Sequence, residues 1–200
     1  MASTTKIVTA IAVIENNDLT KTVTVPKAAV GVEGSSMYLK EGEKYTVKDL
    51  LCGLMLRSGN DCAVALALDT SGGIEEFAKL MNGIASKLKL TNSHFVNPHG
   101  LPENNHYTSA YDLAIITAYA LKNKEFSEIV RSKNYMLSNG STIINKNKLL
   151  SSLEGCDGVK TGFTKEAGYC IVTTCKKKDL RLIGVVMNED KPQTRNEDMK

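Results

Sequence analysis

The sequence has no tryptophan, and aromatic side chains make up only 6% of its 200 residues. So small a stock of flat side chains gives little stacking surface for single-stranded nucleic acid. A block of like charge is also missing. The net charge of +3 is spread along the chain, and the lysine-richest stretch, Lys176-Lys177-Lys178, runs straight into Asp179. That pattern reads as a solvated turn, and no nucleic-acid partner is expected. No run of about 20 apolar residues is present, so no membrane span is expected. A signal peptide is not read either: Lys6 interrupts the start, and the apolar run Ile7–Ile14 is short and leads into Glu15. On that reading the chain is cytosolic or trimmed. The five cysteines, Cys52, Cys62, Cys156, Cys170 and Cys175, form no CxxC pair, so neither a disulfide framework nor a zinc site follows. His94, His99 and His106 show no HExxH spacing, and no metal or other cofactor is expected.

What is present is enough for a core. Hydrophobic residues make up 42% of the chain and charged ones 24%, which suits one domain over residues 1–200, with a possible sub-lobe. The stretch from Thr4 to about Asn16 is apolar almost all round, the mark of a buried helix. Ser3 stands at its N-cap or in its first turn. Thr22–Val25 alternates and ends at Pro26, a short strand. A helix is expected from Thr46 to Arg57, broken at Ser58-Gly59-Asn60 and followed by helices at Asp61–Leu68, Ile74–Leu88, Ala110–Leu121 and Glu125–Arg131. Asn139-Gly140 between Tyr135–Leu137 and Thr142–Ile144 predicts a hairpin. Tyr169–Cys175 and Arg181–Met187 are β-branched runs expected to pair antiparallel. The layout is α+β: an antiparallel sheet flanked by helices, with a helical lobe at roughly 27–130 and a sheet-forming part at roughly 133–190.

Three short motifs could carry chemistry. In Ser3-Thr4-Thr5-Lys6, positions three apart share a helix face, so the lysine amine can reach the serine hydroxyl. Burial would lower the amine's pKa and let it take that proton. The spacing alone is weak, because Ser86-Lys87-Leu88-Lys89 repeats it at what reads as a solvated helix end. Ser58-Gly59-Asn60 falls at the break between two helices, where a hydroxyl and an amide could pass a proton and hold a peptide; a plain capping turn is the simpler alternative. Lys160-Thr161-Gly162 precedes a β run and could give a cation, a hydroxyl donor and a close backbone approach at a strand edge; taken alone, a surface turn with an ordinary lysine is the simpler alternative. A second lysine there would also depress the pKa of Lys6. The ordered set SxxK, SxN, KTG is a recognised signature of penicillin-binding proteins and serine β-lactamases.

From these residues the chain resembles the low-molecular-mass penicillin-binding proteins that are D-alanyl-D-alanine carboxypeptidases. Longer blocks carry the likeness: Gly34-Ser35-Ser36, Leu56-Arg57-Ser58-Gly59-Asn60-Asp61, Phe95-Val96-Asn97-Pro98-His99-Gly100-Leu101, and Asp157-Gly158-Val159-Lys160-Thr161-Gly162. The resemblance implies that Ser3 attacks the carbonyl between the last two D-alanines of a peptidoglycan stem peptide, with Lys6 as base. It implies that Ser58 and Asn60 relay protons and hold the peptide, and that Lys160 and Thr161 steady its terminal carboxylate, with Gly162 beside them. The oxyanion hole would use the backbone N–H groups of Ser3 and Phe163, and Arg195 would meet the carboxylate. β-Lactams would acylate the same serine. An extracytoplasmic site of action is implied, with membrane association only through segments that this chain does not contain. Only Met1 and Ala2 precede Ser3, so the fold is expected to be truncated at both ends. A serine β-lactamase shares the trio, but no E-x-x-L-N motif is present. A non-catalytic peptidoglycan-binding module is the other alternative.

Overall fold

A computed structural model describes residues 1–200. A 3-10 turn at Ala2–Thr5 leads into helix α1 (Lys6–Asn16), whose residues Lys6–Val13 are all buried. The expected helix start at Thr4 therefore shifts by two residues, with Ser3 held in the tighter turn. Helices α3 (Asn60–Ser71), α4 (Ile74–Lys87), α5 (Ala110–Ala120) and α6 (Lys124–Arg131) pack around α1, which explains why α1 needs no polar face.

Local chemistry sets the helix starts. Thr46 Oγ1 accepts from the Asp49 N–H at 3.0 Å, and the Asp49 carboxylate accepts from the Thr46 N–H at 3.2 Å, a reciprocal cap that opens α2 (Val47–Cys52). Ser109 and Asn123 cap α5 and α6 from one side only, each side-chain oxygen accepting an N–H of the first turn. The single helix expected over Thr46–Arg57 is instead split. After Cys52 it widens into a π turn at Gly53–Arg57 and ends on Ser58 in the left-handed region (φ 65°). A side chain at Gly53 would meet Cys62 Sγ at 2.7 Å, so the close packing of α2 on α3 fixes that position.

Strand β1 (Thr22–Thr24) forms where the alternation of Thr22–Val25 predicts it, and it pairs with β2 (Lys44–Thr46), which the sequence pattern did not reveal. β2 is three residues long and runs straight into the helix that Thr46 caps, so it shows no period of its own. The predicted hairpin forms as β3 (Asn134–Met136) and β4 (Thr142–Ile144). A short helix, α7 (Leu149–Ser152), was likewise not foreseen. The main sheet is antiparallel, β5 (Cys156–Thr164), β6 (Gly168–Lys177) and β7 (Leu180–Glu189), in the order β5-β6-β7. Helices α5 and α6 pack against it, and α8 (Pro192–Asp198) lies on β6 and β7. β5 is an edge strand, and its free side runs past the 3-10 turn that carries Ser3. No helix is long and apolar enough to cross a membrane.

Candidate active site

The start of α1 is pinned by the turn at residues 97–100. Thr9 Oγ1 donates to the Pro98 carbonyl at 2.7 Å, and His106 Nδ1, accepting from the Val96 N–H at 3.1 Å, leaves Nε2–H to donate to Thr5 Oγ1 at 3.1 Å. Gly100 has φ +89°, and a Cβ there would fall 2.0 Å from the Ala2 carbonyl oxygen. No other residue type permits that approach. The turn block quoted above therefore serves the nucleophile's backbone.

Within this frame Lys6 is fully buried, and its Nζ lies 2.9 Å from Ser3 Oγ, 2.6 Å from Asn60 Oδ1 and 2.7 Å from the His99 carbonyl oxygen. A neutral amine has two N–H bonds and one lone pair. The two carbonyl-type oxygens accept both N–H groups, and the lone pair is left facing the Ser3 hydroxyl. Burial drives the Lys6 pKa well below the usual lysine range, and the charge of Lys160 pushes it further the same way. The carboxylate nearest in sequence to this cluster, Asp61, is already committed. It accepts from Ser36 Oγ at 2.6 Å and from the Met37, Leu39 and Cys62 N–H groups.

A cleft of about 560 Å³ opens on Ser3. Ser58, Thr161, Gly162, Phe163 and Arg195 line it, so six of the nine residues singled out from sequence meet at one surface. The other three, Lys6, Asn60 and Lys160, are buried behind it, each no more than 3% exposed. The Asn60 amide is committed at both ends, Oδ1 to Lys6 and Nδ2 to the Glu33 carbonyl at 2.5 Å. Lys160 Nζ donates to the Thr161 carbonyl at 2.9 Å, and burial pushes its pKa down to about 7, with Lys146 and Arg195 adding to the effect. Ser58 Oγ makes no hydrogen bond within the chain and faces the cleft.

The sheet wall is closely set. A Cβ on Gly162 would meet the Ser3 nitrogen at 2.9 Å and the Thr4 nitrogen at 3.2 Å, so β5 lies directly along the nucleophile's backbone. Phe163 stacks on its cross-strand partner Tyr169 with ring centroids 4.3 Å apart. Arg195, on α8, reaches the cleft beside Tyr169 and holds Asn196 Oδ1 at 2.8 Å. A free strand edge, a hydroxyl at Thr161 and a guanidinium at Arg195 can together receive an extended peptide that ends in a carboxylate.

Three participants were not found from sequence. His99 acts through its carbonyl, and its ring stays neutral because burial lowers its pKa to about 4. Lys146 lines the cleft and bonds Ser35 Oγ at 2.9 Å. Arg57 lines the cleft beside Ser58. A backbone carbonyl leaves no trace in residue type. Lys146 is 140 positions from Lys6 with no motif around it, and Arg57 alone had a signal, its place next to the SxN triplet.

The sequence matches the D-alanyl-D-alanine carboxypeptidase family over residues 1–191. It is 40% identical, over 98% of its length, to the D-alanyl-D-alanine carboxypeptidase DacF of Bacillus subtilis, of which the match covers 52%. It is 38% identical, over 86% of its length, to DacD of Escherichia coli, of which 44% is covered. The chain thus spans about half the length of these relatives. The fold superposes on the Streptomyces K15 DD-transpeptidase with a TM-score of 0.92 at 37% identity, covering 99% of this chain and 84% of that one. It also superposes on the ampicillin-bound penicillin-binding protein D2 of Listeria monocytogenes, with a TM-score of 0.90 at 27% identity, covering 100% of this chain and 84% of that one.

Proposed function

The chain belongs to the D-alanyl-D-alanine carboxypeptidase family, and from that premise we propose that it removes the terminal D-alanine from peptidoglycan stem peptides through an acyl-enzyme on Ser3. The observation that carries the reading is the hydrogen-bond arrangement of Lys6, with both N–H groups accepted and its lone pair on the nucleophile.

The stem peptide lies along the free edge of β5. Its terminal carboxylate meets Thr161 and Arg195. Lys6 takes the Ser3 proton as Oγ bonds to the carbonyl carbon of the penultimate D-alanine. The backbone N–H groups of Ser3 and Phe163 hold the developing oxyanion. The C–N bond then breaks, and the proton on Lys6 passes to the departing amine, with Ser58 as the relay facing the cleft. Water attacks the resulting ester, gives a proton back through Lys6 to Ser3 Oγ, and frees the shortened peptide. Asn60 positions Lys6. Lys160 acts electrostatically from behind the cleft, keeping Lys6 neutral. β-Lactams acylate Ser3 by the same route. The substrate places this work outside the cytoplasm.

Intact-mass measurement after incubation with a labelled penicillin, run beside D-alanine release from a diacyl-D-Ala-D-Ala peptide, tests the proposal. A single adduct on Ser3 together with D-alanine release is the expected result. Fast drug turnover without peptide cleavage would make the protein a β-lactamase. No adduct and no release would overturn the acyl-transfer reading.

A further inference from the structure

The charges in the cleft do not balance with one carboxylate. Arg195, Lys146 and Arg57 line it, Lys6 and Lys160 lie behind it, and no aspartate or glutamate lines it. None of these five basic side chains forms an ion pair within the chain, and the three that line the cleft carry their charge towards it. The terminal carboxylate of the peptide is received on the sheet wall by Thr161 and Arg195. Arg57 and Lys146 stand on the other wall. Arg57 ends the π turn, and the Lys146 N–H is bonded to the Leu56 carbonyl at 3.0 Å, which ties the two cations to one short stretch of backbone. Arg57 is half-buried, yet its guanidinium makes no hydrogen bond within the chain.

The cleft does not end there. Past Ser36, Tyr38 and Arg57, which line both parts, a second hollow of about 380 Å³ continues to the hairpin β3–β4, floored by Tyr45, Leu137 and Ile143. No carboxylate lines this part either. Room for a further residue, apolar contact for its stem and two unneutralised cations at the entrance define what fits: a side chain that ends in an acid. Thr161 and Arg195, which receive the C-terminal carboxylate, do not line this second hollow, so such a group belongs to the residues just before the scissile bond.

We propose that Arg57, supported by Lys146, forms a second anion subsite that reads a carboxylate on the acyl-donor side of the D-Ala-D-Ala pair. This rests on the acyl-transfer reading of the site, and it narrows the substrate class to stem peptides with an acidic group close to their D-Ala-D-Ala end. A helix-ending arginine has an alternative use, since its charge favours the carbonyl end of the helix. The test must therefore read specificity as well as stability.

Binding to the Ser3→Ala protein separates this subsite from the chemistry. Two peptides are compared that end in D-Ala-D-Ala and differ only in carrying Glu-Glu or Gln-Gln immediately before it. The Glu peptide is expected to bind roughly tenfold more tightly, and the preference should weaken with added salt. Adding Arg57→Gln should cut the ratio to about threefold or less, and adding Lys146→Gln as well should bring it near one, while Arg57→Lys keeps part of it. A ratio near one in the Ser3→Ala protein, a ratio unmoved by the double substitution, or no binding of either peptide would overturn the proposal. Lower thermal stability of Arg57→Gln with the ratio intact would assign the arginine to the helix end alone. Failure of the acyl-transfer reading itself would show separately, as the absence of a penicillin adduct on unsubstituted protein.

Discussion

Ser3–Lys6 and Ser86–Lys89 have the same spacing and opposite surroundings. Lys6 is on the first turn of a helix whose next seven residues, Ile7–Val13, are all buried, with two carbonyl-type oxygens and a second lysine as neighbours. Lys89 lies two residues beyond the end of α4, exposed, with φ +56°, and Ser86 is exposed on the last turn. A serine and a lysine three apart are thus no chemical unit by themselves. What makes one is a buried amine whose protonated form is disfavoured and whose N–H groups are already accepted.

The sharpest way to break this comparison is at the serines. Ser3→Ala is expected to abolish the penicillin adduct entirely, whereas Ser86→Ala leaves the adduct yield as it was; any Ser3→Ala adduct, read by intact mass, would move the nucleophile elsewhere. The lysines come next. Lys6→Ala should slow acylation by roughly 10³-fold, in line with the loss of a positioned base, and Lys89→Ala should not change the stopped-flow rate. An unchanged rate in Lys6→Ala would take the base role from it.

The second lysine supplies a pH signature. Lys160 is 2% exposed and its pKa is pushed down to about 7. In the unfolded chain the same amine stays protonated up to about pH 10.4. Between these values the unfolded state binds more protons, so the burden that Lys160 places on stability is largest below pH 7 and fades as the pH rises towards 10. Lys160→Met is therefore expected to be more stable than the unsubstituted protein at pH 6, by on the order of 4 kcal/mol. Chemical denaturation should show that gap closing as pH rises through this window. A gap of constant size would mean that Lys160 is not buried as a depressed amine. The same substitution should shift the acylation profile to higher pH, because the Lys6 pKa loses one of the charges that lower it.

Two glycines make the smallest pair. A Cβ on Gly162 has no room against the Ser3 nitrogen, while one on Gly83, in the helix that carries Ser86, meets nothing within 4 Å. Gly162→Ala should cost about 1–3 kcal/mol through displaced backbone and slow acylation with it. Gly83→Ala should raise stability by roughly 0.5–1 kcal/mol through helix propensity and reduced freedom of the unfolded chain. Thermal melts and acylation rates on the two variants check both, and equal effects would refute the close fit of β5 on the nucleophile.

Much of the architecture was legible in residue order. The buried helix after Ser3, the capped starts at Thr46 and Ser109, the Asn139-Gly140 hairpin and the antiparallel β6–β7 pair all have local causes: apolar periodicity, a side chain that accepts an N–H, a turn that needs left-handed residues. The β1–β2 pair and the π turn at Gly53–Arg57 were not legible, because each depends on a partner in another segment: Tyr45 beside Val23, and Cys62 and Met37 against Gly53.

The sequence by itself determined the inventory of the site: a serine and a lysine sharing a helix face, a helix break at Ser58, a glycine-bearing strand at Lys160. Tertiary structure decided which of these face the cleft and which stand behind it. Folding buries Lys6, Asn60 and Lys160 behind the cleft and sets Ser3, Ser58, Thr161 and Arg195 in its lining. It also adds Arg57, beside the SxN triplet, and Lys146 and the His99 carbonyl, which no spacing rule could have joined to Ser3. The physical reason is that protonation state and hydrogen-bond commitment depend on neighbours in space, and the decisive neighbours of Lys6 lie 54 and 93 residues along the chain.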